Sequence, residues 1–134
     1  MLVEKVEKYY DKSYKLNCAE TIIYAANEEY NLKLTPETLK TMAAFGGGMG
    51  VEGVCGALTG ALAVLGILYT KERAHESDRV KTLAAKLYRG FEEKLGSDNC
   101  KALKEKYKND DKRCMDMVVT AAEVLQSIVE EEER

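Results

Sequence analysis

The chain is 134 residues long with a formal net charge of −3, and that length predicts one domain, residues 1–134. Hydrophobic residues make up 46% and charged residues 32%, which suits a soluble protein with a core of its own. The acidic balance excludes nucleic acid as an expected partner, and no basic amphipathic stretch marks a membrane surface.

One proline and no alternating β-branched stretch leave helical spacing nearly everywhere, so the predicted fold class is all-α. Leu2, Val6, Tyr9 and Tyr10 mark a first helix. Asn17 caps a second, with Glu20 three residues on as a capping box requires. Its face is Ala19, Ile22, Ile23 and Ala26, and the loop 30–34 ends it. Thr35 and Pro36 open a short third helix carrying Leu39, Met42 and Ala43. A glycine-rich turn follows, and a fourth helix is expected from about Gly53 to Thr70. It is apolar on every side and therefore central, so the architecture expected is an irregular bundle around a buried Gly/Ala-rich helix. Its uncharged run, residues 54–69, has 16 residues and falls short of the ~20 that a membrane span needs. A fifth helix is expected over 77–95, with Val80, Leu83, Ala84, Leu87 and Phe91 as its stripe and Gly96 as its stop. Ser97 caps a short sixth, a polar segment 104–112 follows, and a last helix carries Cys114, Met117, Val118, Ala121, Leu125 and Ile128.

Five glycines fall between Gly46 and Gly53, just ahead of Cys55, although glycine is the costliest residue to order. The cysteines are Cys18, Cys55, Cys100 and Cys114, with no CxxC pair among them. Each falls near a predicted helix start: after the cap Asn17, after Gly53, three residues past Ser97, and three past the candidate cap Asp111. Unpaired N–H groups and the positive end of the helix dipole favour a thiolate there. Thiolates bind metals and attack disulfides, so four such ends converging would make a site with Cys18, Cys55, Cys100 and Cys114 as metal ligands. Gly47 and Gly48 would offer backbone N–H groups to it, as nests do at iron–sulfur sites, and Gly56 would give room for close approach. Buried cysteine that merely fills space is the competing reading, strongest for Cys114 on its apolar stripe.

Gly48, Gly50 and Gly53 spell a G-x-G-x-x-G, but no strand precedes it, so a dinucleotide site is not expected. His75, the single histidine, lies in a charged stretch and is expected in solvent. Tyr9, Tyr10, Tyr14, Tyr24 and Tyr30 read as core and rim. No Ser-His-Asp or Cys-His constellation is legible. The N-terminal residues are charged throughout and do not read as a signal peptide. A cytoplasmic location is the expectation, where cysteines serve metal or redox chemistry more than structural disulfides.

NCAE around Cys18, GGGMGVEGVCGALTGAL around Cys55, and the lone Cys100 and Cys114 resemble a small bacterial and archaeal family. That family is named for a cysteine, a Cys-Gly-Ala-x-x-Gly motif and two further cysteines. The motif here is Cys55 to Gly60, and the resemblance runs from about Asn17 to Leu125 with all four cysteines in place. It implies redox activity, a redox partner and an association with transporters. A related domain of split-Soret cytochromes implies an iron–sulfur cluster on the cysteines. The C-x-x-C-H haem attachment sites of those cytochromes are missing from this chain.

The leading expectation is thus an iron–sulfur protein for electron transfer or redox sensing. Thiol–disulfide chemistry by two of the cysteines is the second, and a zinc site, which favours close ligand pairs, the third. A non-catalytic helical interaction module with structural cysteines is the alternative of a different class. A homodimer is one use for the glycine face of the fourth helix.

Overall fold

The computed structural model describes residues Met1–Arg134 and is all-α. Its helices are α1 (Leu2–Tyr9), α2 (Cys18–Glu29), α3 (Pro36–Leu39), α4 (Gly56–Tyr69), α5 (Arg79–Leu95), α6 (Cys100–Tyr107) and α7 (Met115–Glu132). No helix is long and apolar enough to cross a membrane.

Helix α4 is the axis of the bundle and packs against α2, α5 and α7. Its buried side is Ala57, Leu58, Ala61, Val64 and Leu65, with Gly56 and Gly60 between them. The neighbours meet it with regular stripes: Ala19, Ile22, Ile23 and Ala26 from α2, Leu83, Leu87, Phe91 and Leu95 from α5, and Met117, Val118, Ala121, Leu125 and Ile128 from α7. Helix α1 closes one side with Leu2 and Val6, packed on α2 and α7. All these side chains belong to one apolar cluster.

Helix starts follow local chemistry, with several displacements from the sequence expectation. The Asn17 carboxamide accepts from the Glu20 N–H at 2.7 Å while the Glu20 carboxylate accepts from the Asn17 N–H at 3.0 Å, the reciprocal box expected. Thr35 and Pro36 open α3 as expected, but α-helix ends at Leu39 and continues only as a 3₁₀ turn, Lys40–Met42. Helix α4 begins at Gly56, not Gly53, because Gly53 and Val54 are drawn into pairing with Asn99 and Cys100. The cap of α6 is Asn99 rather than Ser97: its side chain accepts from the Ala102 N–H at 2.9 Å. Ser97 serves one step earlier, accepting from the Asn99 N–H at 3.0 Å. Helix α6 also runs to Tyr107, so half of the expected polar connector is helical. Asp111 does not cap α7. Asn109 folds that turn by accepting from the N–H groups of Asp111 and Lys112, and Cys114 itself is the cap residue. Helix α5 starts at Arg79, since Glu76 turns the preceding segment by accepting from three backbone N–H groups. His75 is exposed, as its charged surroundings imply.

The glycine face of α4 is used within the chain. A Cβ at Gly60 would lie 2.7 Å from the Ala19 carbonyl oxygen and 2.9 Å from its Cα. One at Gly56 would lie 3.0 Å from the Phe45 carbonyl oxygen. A dimer would therefore need a different surface. Gly66, by contrast, has open space around its Cα. The two sites predict opposite outcomes in thermal unfolding. Gly60→Ala forces backbone apart and lowers stability by about 1–3 kcal/mol. Gly66→Ala raises it by about 0.5–1 kcal/mol through helix propensity.

Candidate functional site

All four cysteines stand at helix starts. Cys18 and Cys100 are the first residues of α2 and α6, and Cys55 and Cys114 are the cap residues of α4 and α7. All four are free thiols. Cys55 and Cys100 are buried, at 5% and 7% exposure, while Cys18 and Cys114 are partly open to solvent. Each feels the charge of at least one of the others, so the four share one neighbourhood.

Glycines border three of these positions. Gly46 lies against the Asn17 side chain, where an added Cβ would come within 2.5 Å. That side chain also donates to the carbonyls of Met42 and Ala43, so the loop is fastened beside Cys18. Gly56 and Gly60 bring α4 onto Ala19, the residue after Cys18. Gly48 is buried against Cys100, whose Cβ would be 2.8 Å from an added one. Gly47 to Gly50 all have φ between 62° and 76°, one left-handed turn that glycine accommodates and Met49 enters only at a cost of about 1–2 kcal/mol. Gly47 has no neighbour to crowd a side chain, so its contribution is that backbone conformation.

The two halves of the site differ. Cys55 and Cys100 are joined through backbone. Val54 and Asn99 form an antiparallel bridge, the Cys55 N–H donates to the Asp98 carbonyl at 2.8 Å, and the Cys100 N–H donates to that of Gly53 at 2.6 Å. The Tyr88 hydroxyl holds the Asp98 carboxylate, tying the bridge to α5. In this register Cys55 and Cys100 are diagonal neighbours, a relation that sets residues about 7–8 Å apart. Burial pushes the Cys55 thiol up to about 11, against the pull of the Ala57 and Leu58 N–H groups. Burial raises Cys100 as well, partly offset by Lys104.

The Tyr10 hydroxyl lies against both Cys18 and Cys114, and each of these two thiols shifts the pKa of the other. The Cys18 thiol supports the Cys114 thiolate, which is the largest cause drawing Cys114 down to about 6. Burial opposes that shift, and Lys108, the Tyr10 hydroxyl and Lys104 reinforce it. The same interaction, with burial, drives Cys18 well above the ordinary thiol range. The value near 6 describes the first proton leaving the pair. Tyr10, which reads from the sequence as a core aromatic, belongs to this site. Its hydroxyl accepts from the Cys114 N–H at 3.1 Å and lies 3.9 Å from the Cys18 sulfur. Burial raises its own pKa, so it stays a neutral donor. Nothing in the period of α1 distinguishes Tyr10 from Tyr9, whose hydroxyl binds Glu28 on the surface.

Four thiols are the donor set that an iron–sulfur cluster takes, and right in kind for zinc. They are not gathered as ligands here: no three His, Cys, Asp or Glu side chains are close enough together to hold a metal ion. A groove of about 500 Å³ between α5 and α7, lined by Lys86, Gly90 and Val124 among others, has no cysteine in its walls.

A family model described as "Putative redox-active protein (C_GCAxxG_C_C)" matches residues 16–128. The chain belongs to this family. No curated protein and no solved structure matches the chain. The family match spans all four cysteines and the Cys55–Gly60 motif, and begins two residues before Cys18.

The pH dependence of alkylation is the direct check on this asymmetry. Iodoacetamide labelling of Cys114 should rise through a midpoint near pH 6, well below the ~8.5 of an ordinary thiol. Cys55 and Cys100 should stay unlabelled in the folded protein at neutral pH.

Proposed function

We propose that this member of the family works as a dithiol–disulfide redox protein, with Cys114 as the attacking thiolate and Cys18 as the resolving thiol. The observation that carries the reading is the Tyr10 hydroxyl, which accepts from the Cys114 N–H at 3.1 Å and lies 3.9 Å from the Cys18 sulfur, so that one side chain links these two partly exposed cysteines.

The chemistry closes on these residues and a partner disulfide. The Cys114 thiolate attacks one partner sulfur, forming a mixed disulfide and releasing the other as a thiolate. The negative charge on Cys114 is consumed in that step, and with it the influence that keeps Cys18 protonated. Cys18 then loses its proton, which ends on the released partner thiolate, and attacks the Cys114 sulfur. The Cys18–Cys114 bond forms, the second partner sulfur leaves, and two electrons have passed to the partner. The reverse sequence oxidises a partner dithiol. Lys104 and Lys108 favour the Cys114 thiolate throughout.

A second reading has its own support. Four cysteines at four helix starts, each within the field of others, are the arrangement from which an iron–sulfur cluster would be assembled if the sulfurs drew together. Electron transfer or redox sensing would follow, with Gly47, Gly48 and Gly56 lining the approach. A reducing, cytoplasmic setting suits both readings, as does a redox partner associated with transport.

Thiol counting separates them. On the dithiol reading, treatment with oxidised glutathione consumes two thiols of four, and peptide mapping finds Cys18 joined to Cys114. Anaerobic reconstitution with iron and sulfide then leaves the protein colourless. A product that binds iron and sulfide through all four cysteines, or four thiols that resist oxidation, would sink the dithiol reading.

A further inference from the structure

The segment before α7 is held in a conformation that needs an external hold. Arg113, next to Cys114, has φ 49°, a left-handed conformation that costs a non-glycine residue about 1–2 kcal/mol. Such residues persist only where the surroundings over-determine them. Three contacts do so here. The Arg113 N–H donates to the Asn109 carbonyl at 2.8 Å, closing the turn. The guanidinium lies over the Tyr10 ring, 4.1 Å from its centroid, and donates to the Tyr10 carbonyl oxygen. At the far end of the same side chain, the Tyr10 hydroxyl accepts from the Cys114 N–H at 3.1 Å and reaches the Cys18 sulfur at 3.9 Å. Arg113 thus grips the near end of Tyr10, and Tyr10 grips Cys114.

We propose that Arg113 is a positioning residue for the dithiol pair: by clamping Tyr10 it fixes the Asn109–Cys114 turn so that the Cys114 sulfur stays within reach of Cys18. The inference rests on the dithiol reading and adds the residue that sets how readily the disulfide closes. Without the clamp, the turn would leave its left-handed conformation and Cys114 would swing with it. The effective concentration of one sulfur at the other would fall, and with it the equilibrium constant for ring closure. The choice of arginine follows from the contact. A planar guanidinium stacks on a ring and donates to a carbonyl at once, whereas an ammonium gives a point charge without the fork.

The test is a glutathione redox titration of the full chain, following the Cys18–Cys114 disulfide in wild type, Arg113→Ala and Arg113→Lys. The clamp predicts that Arg113→Ala lowers the closure constant about tenfold, which raises the reduction potential by about 30 mV for a two-electron couple. Arg113→Lys should fall between the two, and the helical circular dichroism of all three should coincide. A potential for Arg113→Ala equal to that of wild type would overturn the proposal while leaving the dithiol reading intact. If wild type closes no such disulfide, the dithiol reading fails first, and the clamp is then judged on the reduced protein. Labelling of Cys114 by a bulky maleimide should be several-fold faster in Arg113→Ala, and equal rates would overturn the clamp as well.

Discussion

A helix begins with backbone N–H groups that have no partner within the helix, and the rest of this site depends on where those groups sit. The chain begins four of its helices at cysteines, two as first residues and two as caps. The positive end of each dipole favours a negative sulfur, but that effect alone does not decide which cysteine becomes a thiolate. Burial opposes it at every one of the four, and prevails at Cys55 and Cys100. At Cys114 a neighbouring thiol, a tyrosine hydroxyl and two lysines tip the balance the other way. The site is asymmetric because four similar backbone positions sit at different depths with different neighbours.

The glycines supply the distances. Without Gly56 and Gly60, α4 could not rest on the first turn of α2, and Cys55 would stand farther from Cys18. Without Gly48, the left-handed turn before α4 would collide with Cys100. Their conformational cost is offset by the apolar burial of α4, whose side chains meet three other helices. Fold and site are in this sense one construction: the central helix is glycine-rich on the side where the cysteine-bearing helix starts are gathered.

Much of this was legible from residue spacing. The all-α class, the central helix, the Asn17–Glu20 box and the link between cysteines and helix starts follow from periods and caps that act over a few residues. The errors fall where tertiary pairing competes with local signals. The bridge of Val54 to Asn99 delays α4 to Gly56 and moves the cap of α6 from Ser97 to Asn99. In the last connector, Asn109 outcompetes Asp111 because its side chain reaches two N–H groups at once. The division of four cysteines into an open pair and a buried pair has no signature in the sequence, since it depends on depth and on contacts spanning 104 positions, as between Tyr10 and Cys114. Tyr10 and Arg113 escape notice for the same reason.

An experimentally determined structure of the oxidised protein tests the central claim most directly, through the distances among the four sulfurs. The account predicts a covalent bond of about 2.05 Å between the Cys18 and Cys114 sulfurs, with Cys55 and Cys100 still reduced on either side of the Val54–Asn99 bridge. Four sulfurs drawn around a shared inorganic core, or a disulfide joining Cys55 to Cys100, would contradict it.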